Sequence, residues 1–253
     1  MQPLISVVSM SRRFEGYKRL VEQFESTIPE LIGQYLVFVN DDSIKQKYRD
    51  FSDTFPKIKL EGMLTEQSKV RPIFAQENFV FKHGHDFIYN FLDSYAFTKY
   101  ILKLFDTDEV VIEKDKFIEE LSLDKDLYGI PTYMARGDSR EIKYQLYKKN
   151  IGNWVGMIHE NFEFYSQPTL YDLLSLKVYH KNALDNFSKN LKKTFDGFII
   201  LEDCDENSDS YKRNLLYESL TYRIIHENLP HKYRGYLLKH YEINKTIIDK
   251  YYQ

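Results

Sequence analysis

The sequence has one cysteine, Cys204, and one tryptophan among its 253 residues. A single thiol excludes an intramolecular disulfide, which fits a reducing compartment. No apolar run approaches the roughly 20 residues of a membrane span. The segment from Met1 onward lacks the charged region and long apolar core of a signal peptide. We therefore expect a soluble, cytoplasmic protein.

Two phosphate-binding motifs and a strong net charge are also missing. The chain has neither G-x-G-x-x-G nor G-x-x-x-x-G-K-[ST], so we expect neither a dinucleotide-cofactor site nor a P-loop site. The net charge is −3, so the chain as a whole has no electrostatic attraction to nucleic acid or to an anionic membrane.

Aromatic and apolar residues are plentiful, at 16% and 43% of the chain, and are enough for a sizeable core. The length predicts either one large domain or one domain with a small extension. We expect the main domain to span residues 1–195. Residues 196–253, whose apolar pattern predicts helices split at Pro230, form a C-terminal helical extension.

Strand and helix patterns alternate at the start of the chain. Short apolar runs predict strands at residues 4–9, 35–39 and 58–60, and helical spacing between them predicts two helices, the second capped by Ser43. A βαβαβ order favours a parallel sheet with right-handed crossovers. We therefore predict an α/β fold with a mostly parallel, Rossmann-like sheet and helices on both faces.

The middle of the chain carries weaker patterns. Residues 61–71 are polar and predict a loop, and residues 73–97 predict two helical patches divided around Gly84. Asp115 is expected to cap a short helix. Further strands are expected at residues 127–135, 144–148 and 174–180; the first two are joined by a turn-rich segment.

Three carboxylates follow the apolar run at residues 100–105, namely Asp106, Asp108 and Glu109. Ligands of open α/β sheets bind beyond the carboxyl ends of strands, and two aspartates there can share a hard cation. The same spacing at Asp124 and Asp126 looks like a solvated turn. A third copy, at residues 203 and 205, also follows an apolar run, so the spacing alone is weak evidence.

Asp41 and Asp42 close the predicted second strand. A carboxylate at this position can accept hydrogen bonds from a nucleoside base or from ribose hydroxyls. The alternative is a helix N-cap in a solvated acidic turn.

The order of these motifs resembles a known enzyme family. A first strand Ile-Ser-Val-Val, a second strand ending in Asp-Asp-Ser, a later strand ending in Asp-Thr-Asp-Glu and a segment Trp-Val-Gly-Met-Ile-His-Glu occur in turn. Together they resemble family-2-type glycosyltransferases of the A-type fold, and most closely the bacterial branch that modifies lipopolysaccharide core and related glycans. The resemblance covers residues 4–195. A glycine that usually follows the second-strand aspartates is missing.

The resemblance implies roles for the acidic residues. Asp41 or Asp42 would contact the nucleoside base of a UDP-linked nucleotide sugar. Asp106 and Asp108 would hold Mg²⁺ or Mn²⁺ at the diphosphate, with Asp106 nearer the ribose. The cation neutralises the charge that develops on the departing nucleotide. Glu160 would be the general base that takes the proton of the acceptor hydroxyl.

Several basic residues are further candidates. His159 would orient Glu160 or contact phosphate, and His180 would be a third metal ligand or a phosphate contact. Arg136, Arg140 and Lys181 would bind the diphosphate through charge-assisted hydrogen bonds. For His180 the alternative is an ordinary hydrogen-bonded residue at a strand end. For the three cationic residues the alternative is solvated surface charge.

The main expectation is an inverting, metal-dependent glycosyltransferase with a glycan or glycolipid acceptor. Three alternatives stay open: transfer to hydroxymethylated bases of DNA, which the net charge disfavours; a nucleotidyltransferase; and a non-catalytic binding protein on the same fold. The basic cluster at residues 189–193 is a candidate for peripheral attachment to the inner face of a membrane. The aromatic C-terminal helices are a candidate homodimer surface.

Overall fold

The computed structural model describes residues 3–59, 65–76, 79–134, 140–155, 161–180 and Leu220. The chain divides into two compact units, and the first contains every described residue apart from 79–87, Val155, Asn161 and Leu220. The predicted domain boundary at residue 195 and the predicted C-terminal helices lie outside the described residues.

The described residues contain four α-helices, a 3₁₀ turn and thirteen strands. The helices are α1 (Phe14–Thr27), α2 (Lys45–Asp53), α3 (Phe79–Tyr95) and α4 (Lys114–Ser122), and the 3₁₀ turn is Asp42–Ile44. The strands are β1 (Ile5–Ser11), β2 (Ile32–Val39), β3 (Lys57–Ile58), β4 (Gln67–Ser68), β5 (Val70–Phe74), β6 (Tyr100–Lys103), β7 (Asp108–Ile112), β8 (Leu127–Met134), β9 (Arg140–Lys148), β10 (Gly152–Val155), β11 (Asn161–Phe164), β12 (Leu170–Asp172) and β13 (Leu176–His180).

Nine of the described strands form one sheet with the order β5-β2-β1-β6-β9-β8-β13-β7, and β12 pairs with β8 at one side. The four strands β5, β2, β1 and β6 are parallel. Strand β9 is antiparallel to both of its neighbours, β6 and β8. Strands β8 and β13 run parallel to each other, and β7 is antiparallel to β13. The sheet is therefore mostly parallel, as predicted.

One face of the sheet is covered by α1, α2 and α4. Alternate residues of the strands, such as Val7 of β1 and Val37 of β2, join one core cluster with Leu20 and Phe24 of α1 and Phe117 of α4. The side chain of Gln23 on α1 accepts a hydrogen bond of 3.1 Å from the backbone N–H of Val110. Burial of apolar area of this kind is the main favourable term in folding.

The second half of α3 covers the opposite face. Gln34 of β2 donates to the carbonyl oxygen of Tyr95 at 3.2 Å, and the Lys103 ammonium lies 4.0 Å from the ring centroid of Tyr89. Helix α3 is interrupted at Gly84, where φ is 84°. Helices therefore lie on both faces, and the α/β fold class is confirmed. No helix among the described residues has the length and apolarity required to cross a membrane.

The third strand of the parallel sheet is not where the sequence predicted it. Residues 57–58 form the short strand β3, which pairs with β4 in a separate ribbon. The sheet instead takes β5, from a segment expected to be loop and helix, with Pro72 opposite Val37. Proline cannot donate a ladder hydrogen bond, but β5 is an edge strand, where this donor is not needed.

Two predicted helix caps are also different. Asp41, not Ser43, caps the turn before α2, because its side chain accepts a hydrogen bond from the Ser43 N–H. The N-cap position of α4 is Glu113, and Asp115 lies in the first turn. A carboxylate in a first turn still stabilises a helix through the helix dipole.

Candidate functional site

Asp106 connects the ends of β6 and β1 at the carboxyl edge of the parallel strands. Its Oδ2 accepts hydrogen bonds from the Ser11 hydroxyl at 3.0 Å and from the backbone N–H groups of Arg12 and Arg13 at 2.9 and 2.8 Å. The Arg13 guanidinium lies 3.7 Å from Oδ1. Asp106 is 8% exposed. One buried carboxylate thus fixes the loop formed by residues 11–13, which joins β1 to α1.

Helix α1 begins directly beside Asp106. Its N-cap residue, Arg13, makes no side-chain capping bond, so the Asp106 carboxylate takes over the role of a cap from a distant part of the chain. A negative charge at a helix N-terminus is favourable because the helix dipole is positive there. A Cβ atom at Gly16 would lie 2.1 Å from the Asp106 carbonyl oxygen. Only glycine therefore allows this approach of α1 to Asp106.

Asp108 and His180 form a second pair at the same edge. Asp108 starts β7 and His180 ends β13, and the two residues are direct partners in the antiparallel register. Asp108 Oδ1 lies 2.6 Å from His180 Nδ1, and Oδ2 accepts a hydrogen bond of 2.8 Å from the Phe105 N–H. The imidazole packs edge-on against the Phe105 ring. A carboxylate only accepts, so the shared proton belongs to Nδ1 of His180.

These side chains suit a divalent cation only in part. Carboxylate oxygens are the ligands that Mg²⁺ and Mn²⁺ prefer, and an imidazole that donates to a carboxylate is a common metal ligand. Within the described ranges, however, no three His, Cys, Asp or Glu side chains form a group that could hold a metal ion. The donor set therefore fits a cation that takes further ligands from a bound diphosphate, and does not fit an ion held by these residues alone.

Asp41 and Asp42 lie at the end of β2, at the same edge. Asp41 accepts hydrogen bonds from the N–H and the hydroxyl of Ser43, at 3.0 and 2.6 Å. The Asp42 side chain is 76% exposed and pairs with Lys45 at 2.5 Å. Both carboxylates thus have the local capping and pairing roles that were the alternative to ligand binding.

Asn40 and Tyr48 belong to the site but were not predicted. Asn40 is 3% exposed and accepts a hydrogen bond of 3.1 Å from Arg12 Nε. The Tyr48 hydroxyl is hydrogen-bonded to the Ser11 hydroxyl. Burial raises the pKa of Tyr48, so the phenol stays protonated at neutral pH. The position of Asn40 directly before Asp41 was the signal that could have identified it.

The other predicted residues are only partly described. Arg140 is exposed at the start of β9, opposite Tyr133 at the carboxyl edge. Arg136, His159, Glu160 and Lys181 lie outside the described residues. The Asp124 and Asp126 segment is a turn, as predicted, and both carboxylates form ion pairs with Lys148.

No protein-family model and no curated protein sequence matches this chain. Among solved structures, S. aureus TarS aligns with 87% of this chain at 13% identity and a TM-score of 0.45, and the chain spans 43% of that TarS chain. The complex of TarS 1–349 with UDP-GlcNAc aligns with 94% of this chain, and the chain covers 79% of it, at 10% identity and a TM-score of 0.44. Both TM-scores are below 0.5.

Proposed function

We propose that this chain is an inverting, metal-dependent glycosyltransferase that transfers a sugar from a UDP-type nucleotide sugar to a hydroxyl of a glycan or glycolipid. One observation carries the proposal. Asp106 and the hydrogen-bonded pair Asp108 and His180 all lie at the carboxyl edge of the sheet, where open α/β folds bind ligands. The order of sequence motifs that resembles family-2-type glycosyltransferases agrees with this location.

The described residues have distinct proposed tasks. Asp106 holds the loop at residues 11–13 in one conformation, so that this loop can bind the ribose side of the nucleotide. Asp108 and His180 would hold Mn²⁺ or Mg²⁺ beside the diphosphate. When bound, the cation acts as a Lewis acid that neutralises charge on the diphosphate leaving group. Asp41 or Asp42 contacts the base.

The proposed transfer is a single displacement. The acceptor oxygen forms a bond to the anomeric carbon while the bond from that carbon to the diphosphate oxygen breaks. Glu160 takes the acceptor proton as general base, and His159 orients Glu160. Arg136 binds the diphosphate through charge-assisted hydrogen bonds.

The donor site is tested by thermal unfolding with UDP and UDP-GlcNAc, each with and without Mn²⁺. We expect stabilisation that requires the metal, about 2.7 kcal/mol when the ligand is present at about 100 times its Kd. Asp108→Asn and His180→Ala should abolish this stabilisation. Asp53→Asn, which changes an exposed aspartate of α2, should retain it. Equal stabilisation without metal, or in Asp108→Asn, would contradict the proposed donor site.

The general base is tested separately with Glu160→Gln. This change removes the proton acceptor and keeps the size of the side chain, so we expect UDP-GlcNAc binding to persist while sugar transfer falls by at least about 100-fold. The measurements are the thermal shift and the release of UDP with a glycan acceptor. Unchanged UDP release would exclude Glu160 from the proton transfer.

A further inference from the structure

A small cleft opens at the edge of the sheet opposite to Asp106. Lys148 pairs with Tyr100, which starts β6, whereas Asp106 follows the other end of the same strand. The cleft lies beside the turn that follows Lys148 and has a volume of about 180 Å³. Drug-sized ligands occupy clefts of roughly 300–1,000 Å³, so this one suits a smaller molecule.

A fixed carboxyl group lies in the cleft wall. The Tyr147 hydroxyl is 2.9 and 2.8 Å from the two oxygens of Asp93, and Trp154 Nε1 donates to the Tyr147 oxygen at 3.0 Å. Tyr147 and Trp154 are buried, while Asp93 is partly exposed. A carboxylate has about four acceptor positions, so Asp93 can also accept from the hydroxyl of a ligand. Its orientation is already set by Tyr147.

Two exposed amides and an exposed aromatic ring also line the cleft. Asn150 lies in the turn with φ of 67°, a conformation that asparagine tolerates better than most residues, and Asn153 follows in β10. The Tyr165 side chain is 67% exposed, while its backbone N–H is bonded to the Ile151 carbonyl oxygen at 2.9 Å. The amides supply both donors and acceptors, and the ring supplies a flat apolar face.

The cleft lining contains few charged groups. It contains one carboxyl group, on Asp93, and one ammonium group, on Lys149, which donates to the Ala96 carbonyl oxygen. The formal charge of the lining is zero with both groups ionised and +1 with Asp93 protonated, so the cleft does not concentrate charge of either sign. A neutral molecule with many hydroxyls and one apolar face matches these groups better than a phosphate or a nucleotide does.

We propose that this cleft binds a single neutral sugar ring, at a site separate from the Asp106 edge. One face of the ring lies on Tyr165, and its hydroxyls bond to Asp93, Asn150 and Asn153. The proposal does not depend on the chemistry assigned to the Asp106 edge, because a binding protein with no transferase activity would have the same cleft.

The test is saturation-transfer NMR with methyl glucoside and N-acetylglucosamine, and phosphorus NMR line broadening with inorganic phosphate as the anionic probe. We expect saturable binding of at least one sugar, weakened about tenfold or more in Tyr165→Ala and in Asn153→Ala. Both side chains are exposed, so both variants should fold, and circular dichroism checks this. Tyr144→Ala removes a tyrosine that is also exposed but does not line the cleft, and should leave binding unchanged.

Three kinds of result would overturn the proposal. The first concerns sugar binding itself: neither sugar binds saturably, or Tyr144→Ala weakens binding as much as Tyr165→Ala does. The second is displacement of the bound sugar by UDP, which would assign the sugar to the nucleotide site. The third is phosphate binding with the same dependence on Tyr165 and Asn153, which would show that the cleft selects anions.

Discussion

Two buried tyrosines next to the Asp106 loop differ by one hydrogen bond. The rings of Tyr17 and Tyr48 lie 5.4 Å apart. The Tyr48 hydroxyl is bonded to Ser11, whereas the Tyr17 hydroxyl is buried with no hydrogen-bond partner among the described residues. Burial raises the pKa of both phenols. An unpaired buried hydroxyl costs more free energy than an apolar group of the same shape.

Phenylalanine at these two positions should therefore have opposite effects. Tyr17→Phe removes an unsatisfied group, and we expect the free energy of unfolding to rise by about 1 kcal/mol. Tyr48→Phe leaves the Ser11 hydroxyl with one partner fewer, and we expect a loss of about 1 kcal/mol. Urea unfolding of the two variants measures both values. A loss in Tyr17→Phe as large as that in Tyr48→Phe would mean that the Tyr17 hydroxyl is bonded in solution.

At the scale of elements, the first turn of α1 has to lie against the chain at Asp106. In an exposed helix, alanine is more favourable than glycine by roughly 0.5–1 kcal/mol. At Gly16 the added methyl would overlap the Asp106 carbonyl oxygen, so the usual preference is reversed. Because the clash is with backbone, either the helix or the site loop has to move.

We expect Gly16→Ala to lower the free energy of unfolding by about 1–3 kcal/mol, the usual cost of overpacking. It should also weaken the proposed binding of UDP, since Asp106 and the loop at residues 11–13 move together. Ser26→Ala changes an exposed residue near the other end of the same helix and should alter stability by no more than about 0.5 kcal/mol. If Gly16→Ala stabilises the protein, α1 does not approach Asp106 as described.

Element prediction succeeded where one segment contained its own pattern. Strands β1 and β2, helix α1 and the break at Gly84 all follow from local apolar spacing and glycine. Strand β5 was missed because residues 61–71 have the polarity of a loop and residues 73–97 have helical spacing, with Pro72 between the two patterns. Only its place at the edge of the sheet makes the proline acceptable, and local spacing contains no information about sheet order.

For the whole molecule, Asp93 should influence how stability depends on pH. Burial raises the pKa of Asp93 to about 7 from an ordinary value of 3.8, against the lowering effects of Tyr147, Trp154, Lys103 and Lys149. Between these two values the folded protein keeps a proton that the unfolded chain releases. The resulting stabilisation is complete below pH 3.8 and is lost as the pH rises through about 7.

Asp93→Asn, whose side chain does not titrate, removes this contribution. We expect its free energy of unfolding, relative to that of the unsubstituted protein, to rise between pH 3.8 and 7 with a slope of up to about 1.4 kcal/mol per pH unit. Urea unfolding of both proteins over this range measures the difference and cancels all other titrating groups. A difference that does not change with pH would mean that Asp93 titrates normally in the folded state.

The sequence by itself determined the α/β class and placed Asp106 and Asp108 directly after the apolar run that contains β6, because apolar spacing is a local feature. Only the tertiary structure decided which partner each carboxylate has. Asp106 binds the loop after β1, and Asp108 binds His180, 72 residues away along the chain. These pairs depend on sheet order and strand register, which arise from contacts between distant segments.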